Sequence, residues 1–298
     1  MLDTTPILWL QEWQSPLLTD AMAAVSFWGS AASALAVAVL VACGRRPKLG
    51  VSLMLAIVFA DVMATAAKDV FELPRPYAAD SRIRALGASP SSPPDDSFGF
   101  PSGHVAITVS WAAGLAWWTR KRFDIGAAAA WIGAMAISRM YLGRHFPADV
   151  VGGLVVGLAA LALARRTLPP EPPDGRAEPG RPQAWIGAAI GAGAIAVSLA
   201  GAGLELHQAG RVCGVLAAAL LLDRARVLTG DATPARRVAR AATALGLLGL
   251  ATWSAGWTWM VASGTLAARA GAVAAGAALH ASVLLVPVFA FRSRRHRP

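Results

Sequence analysis

Nine apolar runs follow one another along this chain, at about 21–43, 51–67, 104–118, 125–141, 148–164, 184–202, 209–222, 239–262 and 268–291. Coiled as helices they are long enough, or nearly so, to cross roughly 30 Å of hydrocarbon, which takes about 20 residues. Runs of fourteen to seventeen residues draw on polar flanks to complete a crossing. The chain is 56% hydrophobic and only 15% charged. That balance excludes an ordinary soluble domain and predicts an all-α integral membrane protein.

The formal charge of +10 would point to nucleic acid in a soluble protein. Here its placement gives a different reading. The segments 44–48, 119–123, 165–182, 223–240 and 292–298 hold 19 of the 27 Lys and Arg residues. Cytoplasmic loops are enriched in these residues, so alternate loops agree on one orientation and no nucleic-acid partner is expected. Cys43 and Cys213 fall near opposite faces in this topology, too far apart to bridge. The first residues lack a basic region and a small-residue cleavage site, so no removable signal peptide is expected.

Residues 5–18 alternate Trp9, Trp13 and leucines with polar residues, which predicts an amphipathic helix in the outer interface. Asp61 lies inside the second run, seven residues before Lys68, hence on the same helical face as that lysine. An intramembrane carboxylate is a functional candidate, with a hydrogen bond to a neighbouring helix as the plainer reading of Asp61. The Ser-, Pro- and Asp-rich stretch 78–100 is long enough for a lid over a site. Residues 166–183, rich in Pro, Gly, Glu and Arg, read as a cytoplasmic linker between a region 1–165 and a four-span region 184–298. The latter carries small-residue spacings at Gly187/Gly191 and Gly210/Gly214 that permit close helix packing. Its His207, Arg211, Arg269 and His280 lack motif spacing and read as structural or interfacial.

Chemistry concentrates between Lys68 and Asp149. Three stretches stand out: Lys68 to Arg75-Pro76; Pro101-Ser102-Gly103-His104; and Ser138-Arg139 to His145 and Asp149. In the predicted topology all three reach the same, outward face. Ser102 is placed to cap the third span, so Gly103 and His104 sit at a positive helix end suited to an anion, and Gly103 lets backbone approach it. Attack on a phosphate ester needs cations to disperse charge on its oxygens and a positioned nucleophile. Lys68, Arg75 and Arg139 fit the first role without a metal or other cofactor. His145, with Asp149 four residues on to orient its ring, fits the nucleophile, and His104 the general acid.

Taken together, Lys-x6-Arg-Pro, Pro-Ser-Gly-His and Ser-Arg-x5-His-x3-Asp resemble the three-part signature of the type 2 phosphatidic acid phosphatase superfamily, which includes lipid phosphate phosphatases and vanadium haloperoxidases. Eleven fixed identities match in order. The resemblance implies a helical core of about five spans, here followed by about four additional C-terminal transmembrane helices. It also implies a phosphohistidine intermediate, no metal for hydrolysis, and phosphate contacts from Ser102, the Gly103 backbone and Ser138. It covers roughly residues 5–165, without one N-terminal span that many bacterial members have. Arg144 lies outside the signature and adds a charge contact or faces headgroups.

The expected activity is therefore hydrolysis of a lipid phosphate or diphosphate at the outer face of a bacterial-type inner membrane. Candidate substrates are polyprenyl diphosphate, phosphatidic acid, phosphatidylglycerol phosphate or a lipid A phosphate. Phosphotransfer to a second lipid shares the first half-reaction and stays open, whereas the many spans disfavour a haloperoxidase. A transport or interaction role for 184–298 is a further alternative, against which stands the lack of evident paired intramembrane charges. The sequence assigns no oligomeric state.

Overall fold

The computed structural model describes residues 2–44, 46–87, 98–170, 183–200, 206–224, 233–258 and 266–290. Their regular elements are the helices α1 (Thr5–Glu12), α2 (Pro16–Phe27), α3 (Ala31–Cys43), α4 (Pro47–Phe71), α5 (Pro76–Ala79), α6 (Gly103–Thr119), α7 (Arg122–Tyr141), α8 (Pro147–Thr167), α9 (Ala184–Ala200), α10 (Leu206–Arg224), α11 (Pro234–Thr258) and α12 (Leu266–Ala290).

Helix α4 sets the arrangement. Every residue from Val51 to Ala60 is buried, and a helix apolar on all sides needs protein on all sides. Helices α3, α6, α8 and α10 supply it. Pro47 at the first helical position favours the start. The end is made by Glu72, which turns left-handed at φ 48° and donates its N–H to the Lys68 carbonyl at 2.9 Å. The helix thus stops before Pro74, ahead of the prolines to which the sequence points.

Against α4 lie α6 and α8, whose backbones nearly touch. A Cβ on Gly153 would stand 2.6 Å from the Ser102 carbonyl oxygen, and one on Gly157 would stand 2.5 Å from that of Ala106. Four-residue spacing of small residues is what such an approach requires. On the other face of α8, Val151 and Val155 are exposed, as a lipid-facing surface is.

Pro47–Ala79, Pro147–Thr167 and Ala268–Pro287 are long and apolar enough to cross a membrane, and the bent pair α2–α3 passes the same test together. The protein is multi-pass. The predicted run 21–43 is not one straight helix, because it bends by 56° between α2 and α3. Ser30 starts the second half by accepting from the Ser33 N–H at 3.3 Å, while the Ser33 hydroxyl donates to the Phe27 carbonyl at 2.8 Å. These local bonds replace part of the helical ladder.

The predicted interfacial helix 5–18 also divides. Pro16 opens α2 with Ser15 as its cap, the Ser15 hydroxyl accepting from Leu18 N–H at 3.2 Å. Helix α1 does more than lie on a surface. Its Trp9 and Trp13 are exposed, but Ile7 is fully buried against Ile83 and Phe146. Gln11 Nε2 donates to the carbonyls of Arg84 and Tyr141 at 2.8 and 2.9 Å, so α1 braces the loop that follows α7.

The C-terminal helices extend the same buried core. Gly210 on α10 faces α12 so closely that a Cβ would lie 2.9 Å from the Val273 carbonyl oxygen. Ala209, Val212 and Val215 of α10 share one apolar cluster with Val51–Ala60 of α4. Arg211, read from the sequence as structural or interfacial, is buried and pairs with Asp61 at 2.8 Å. That corrects the expectation that paired intramembrane charges are lacking. Of the predicted linker, 171–182 lie outside the described residues, as do 88–97 of the predicted lid and the side chain of His207.

Candidate active site

All three motifs meet where α4 ends and α6 and α8 begin. Lys68 occupies the last turn of α4. Arg75 follows in extended conformation and is buried, its Nη1 donating to the Arg144 carbonyl at 3.3 Å. Ser102 stands at the N-cap of α6, and its backbone N–H donates to the Asp149 carbonyl at 2.9 Å. That bond ties the second motif to the third. The expected side-chain cap is not formed: the Ser102 hydroxyl is fully buried and has no hydrogen-bond partner.

The third motif is shaped by a tight reversal between α7 and α8. Gly143 adopts φ +70°, where glycine alone is unstrained, and the Arg84 carbonyl leaves no room for a Cβ. The Arg144 N–H returns to the Arg139 carbonyl at 3.0 Å. Arg139 is buried, and its Nη1 donates to the Ser26 hydroxyl. Ser138 gives its hydroxyl hydrogen to the Met22 carbonyl at 2.7 Å, a commitment to α2 and not to the site. The Arg144 guanidinium lies over the Tyr77 ring, 5.6 Å from its centroid.

His145 and Asp149 are 1% and 2% exposed. His145 Nδ1 faces Asp149 Oδ2 at 3.5 Å, and the same oxygen accepts the Phe146 N–H at 2.8 Å. The aspartate therefore closes the first turn of α8 and faces the imidazole with one atom. Such contacts are often long before substrate arrives. Gly99 makes room for this pair, since a Cβ there would lie 3.2 Å from Asp149 Oδ2. Burial, then the charges of Arg139, Arg75 and Lys68, hold the His145 imidazole well below its ordinary value of 6.5. This favours the neutral ring, whose lone pair can attack.

A cavity of about 470 Å³ opens beside this cluster, walled by Lys68, Gly103 and His104 and by Asp61, Thr65 and Gln208. Arg75, Ser102, Arg139, His145 and Asp149 do not line it, and all five are buried. Asp61 lines the cavity but is neutralised by Arg211 of α10.

Several residues at the site carry no recognisable mark in the sequence. Gly29, at the bend between α2 and α3, is needed because a Cβ would lie 2.7 Å from Met135 Cε and 3.1 Å from His104 Cβ. A glycine followed by serine was the available signal. Gln208 and Arg211 approach α4 from far along the chain, and no spacing rule reports such a contact.

Comparison with known proteins falls on the same region. The family model of the PAP2 superfamily matches residues 49–171. Phosphatidylglycerophosphatase B of Escherichia coli is 36% identical over 73 residues, covering 24% of this chain and 29% of that protein. Lipid A 4'-phosphatase of Bacteroides thetaiotaomicron is 32% identical over 108 residues, 36% of this chain and 48% of that one. Undecaprenyl-diphosphatase of Sulfolobus acidocaldarius is 29% identical over 121 residues, 40% and 55% respectively. The chain thus spans from under a third to about half the length of these curated relatives. Among solved structures, the crystal structure of Aquifex aeolicus LpxE gives a TM-score of 0.46 at 21% identity, over 55% of this chain and 94% of that one.

Proposed function

We propose that the chain is a membrane phosphatase acting on the phosphate of a lipid headgroup, on the premise of its match to the PAP2 superfamily over residues 49–171. One observation carries the reading: a buried His145, with Asp149 at its Nδ1, stands among the charges of Arg139, Arg75 and Lys68 beside a cavity that Lys68 and His104 wall. Three relatives bear the names of lipid phosphatases, which supports this class of substrate.

In the proposed reaction Lys68, Arg75 and Arg139 spread the negative charge of the phosphoryl oxygens, with the Ser102 hydroxyl and Gly103 N–H as further donors. Nδ1 of His145 is turned to Asp149, which leaves Nε2 as the attacking atom. A P–N bond forms as the P–O bond to the leaving alcohol breaks, and His104 passes its proton to that oxygen. Water then attacks the phosphohistidine, giving its proton to His104 as the P–N bond breaks and phosphate departs. Neither half requires a metal.

The topology we propose counts the bent pair α2–α3, α4, α6, α7 and α8 as five crossings and α9 to α12 as four more. Site and basic loops then occupy opposite ends. Arg46 lies over Trp118, and Arg120 and Arg165 over Trp117, at the end remote from His145. The rule that cytoplasmic loops are the positive ones supports a site at the outer face of the inner membrane.

Purified protein is expected to release phosphate from detergent-dispersed lipid phosphates in the presence of a chelator. His145→Ala should abolish release, and His104→Ala should slow it about a hundredfold to ten-thousandfold, the usual contribution of a general acid. A His145→Ala protein as active as its parent would refute the reading.

A further inference from the structure

The cavity is not made by the motif-bearing helices alone. Gln208, on α10, forms part of its wall with Lys68 and His104. Two bonds hold α10 to α4 at this point: Gln208 Nε2 donates to Thr65 Oγ1 at 3.0 Å, and Arg211 pairs with Asp61 at 2.8 Å. Thr65 and Asp61 lie within two turns of Lys68 on one side of α4, and both line the cavity. The C-terminal region therefore reaches the reaction chamber directly.

We propose that Gln208 is a specificity-determining residue, which with Thr65 binds a hydroxyl of the substrate's leaving alcohol and so selects phosphomonoesters on polyol or sugar headgroups. The proposal rests on the phosphatase reading above and names the substrate class for that site. Three observations favour it. At about 470 Å³ the cavity is far larger than a phosphate group, so part of the alcohol enters it. The wall beyond Lys68 and His104 is polar, with Thr65, Gln208, Asp61 and Asp69. A plain diacylglycerol brings no hydroxyl to this polar wall, so it forgoes the hydrogen bonds that a polyol or sugar headgroup makes there. Lastly, with Asp61 neutralised by Arg211, Asp69 is the other carboxylate on the wall, and its Oδ2 is buried without a hydrogen-bond partner. A second phosphate would meet that charge, whereas a hydroxyl donates to it.

Arg211 acts at one remove. By neutralising Asp61 it keeps α10, and with it Gln208, seated on α4. Gln208 and Thr65 face the substrate, and Thr65 also fixes the amide that reads it.

The test compares kcat/KM for four probes: phosphatidylglycerol phosphate, a lipid A 4'-phosphate, phosphatidic acid and undecaprenyl diphosphate. The parent is expected to favour the first two, and the two distinguish a glycerol from a sugar as the hydroxyl source. Gln208→Leu and Thr65→Val should each lower the ratio of the favoured probe to phosphatidic acid, by about tenfold for Gln208→Leu, the size of one hydrogen bond in a closed site. Thermal stability is followed in parallel, and if Gln208→Leu does not fold, the ratio in Thr65→Val decides. A parent active only through His145 but indifferent to hydroxyls overturns this inference and leaves the phosphatase reading standing. So does a pair of variants that alter all four substrates alike, or none. A parent that releases phosphate from no probe overturns both.

Discussion

Ser102 and Ser138 belong to equally well-marked motifs, yet their hydroxyls have different employment. That of Ser138 is spent on the Met22 carbonyl at 2.7 Å, whereas that of Ser102 is buried with no partner. A buried hydroxyl without a bond is costly, and a phosphate oxygen would satisfy it. Ser102→Ala is therefore expected to lower kcat/KM by about tenfold to a hundredfold, as loss of a bond to a charged group does, with thermal stability unchanged or slightly raised. Ser138→Ala should do the reverse, losing about 1 kcal/mol of stability with little effect on kcat/KM. Assay and melting curve on the two variants decide, and equal kinetic loss from both would show that Ser138 also serves the phosphate. At this scale much was legible. His145 and Asp149 stand four apart across a helix start, so their meeting follows from helical geometry once Pro147 opens α8. The partners of Ser138 and Arg139 were not, because both lie on α2, more than a hundred residues earlier.

The site is held together at the level of elements by the approach of α6 to α8. Gly153 and Gly157 allow it, and the same contact brings the Ser102 N–H to the Asp149 carbonyl. Gly157→Leu would drive a side chain into the Ala106 carbonyl and Val109. Overpacking of this kind costs about 1–3 kcal/mol or more, so melting temperature should drop and phosphate release should fall with it. Gly126→Leu on α7, where nothing lies within 4 Å, is the matched control and should change neither. If both substitutions are tolerated alike, the close approach does not position the site. The apolar runs foretold most helices because hydropathy reports burial and lipid exposure directly. It did not foretell the break at Trp28–Ser30, which depends on the hydroxyls of Ser30 and Ser33 within an otherwise apolar stretch. Nor did it separate α1 from α2, where Ser15 and Pro16 dictate a new start.

For the molecule as a whole, the open question in the sequence was whether the last four helices have anything to do with the site. Their composition gives no motif, and the contact that joins them to α4 links residues 150 apart, beyond any periodicity. Asp61 and Arg211 side chains are 16% and 9% exposed, so each charge depends on the other for most of its stabilisation. Arg211→Met strands the carboxylate, and Asp61→Leu strands the guanidinium; each should cost about 3 kcal/mol. Together the two substitutions put apolar groups in place of the pair, which is often close to neutral because the desolvation penalty of both ions disappears as well. The double variant is thus expected to melt above either single one, with a coupling of about 1–3 kcal/mol between positions. A double variant that loses the sum of the two single effects would mean that the ions do not depend on each other, and that α10 is seated on α4 by apolar packing alone.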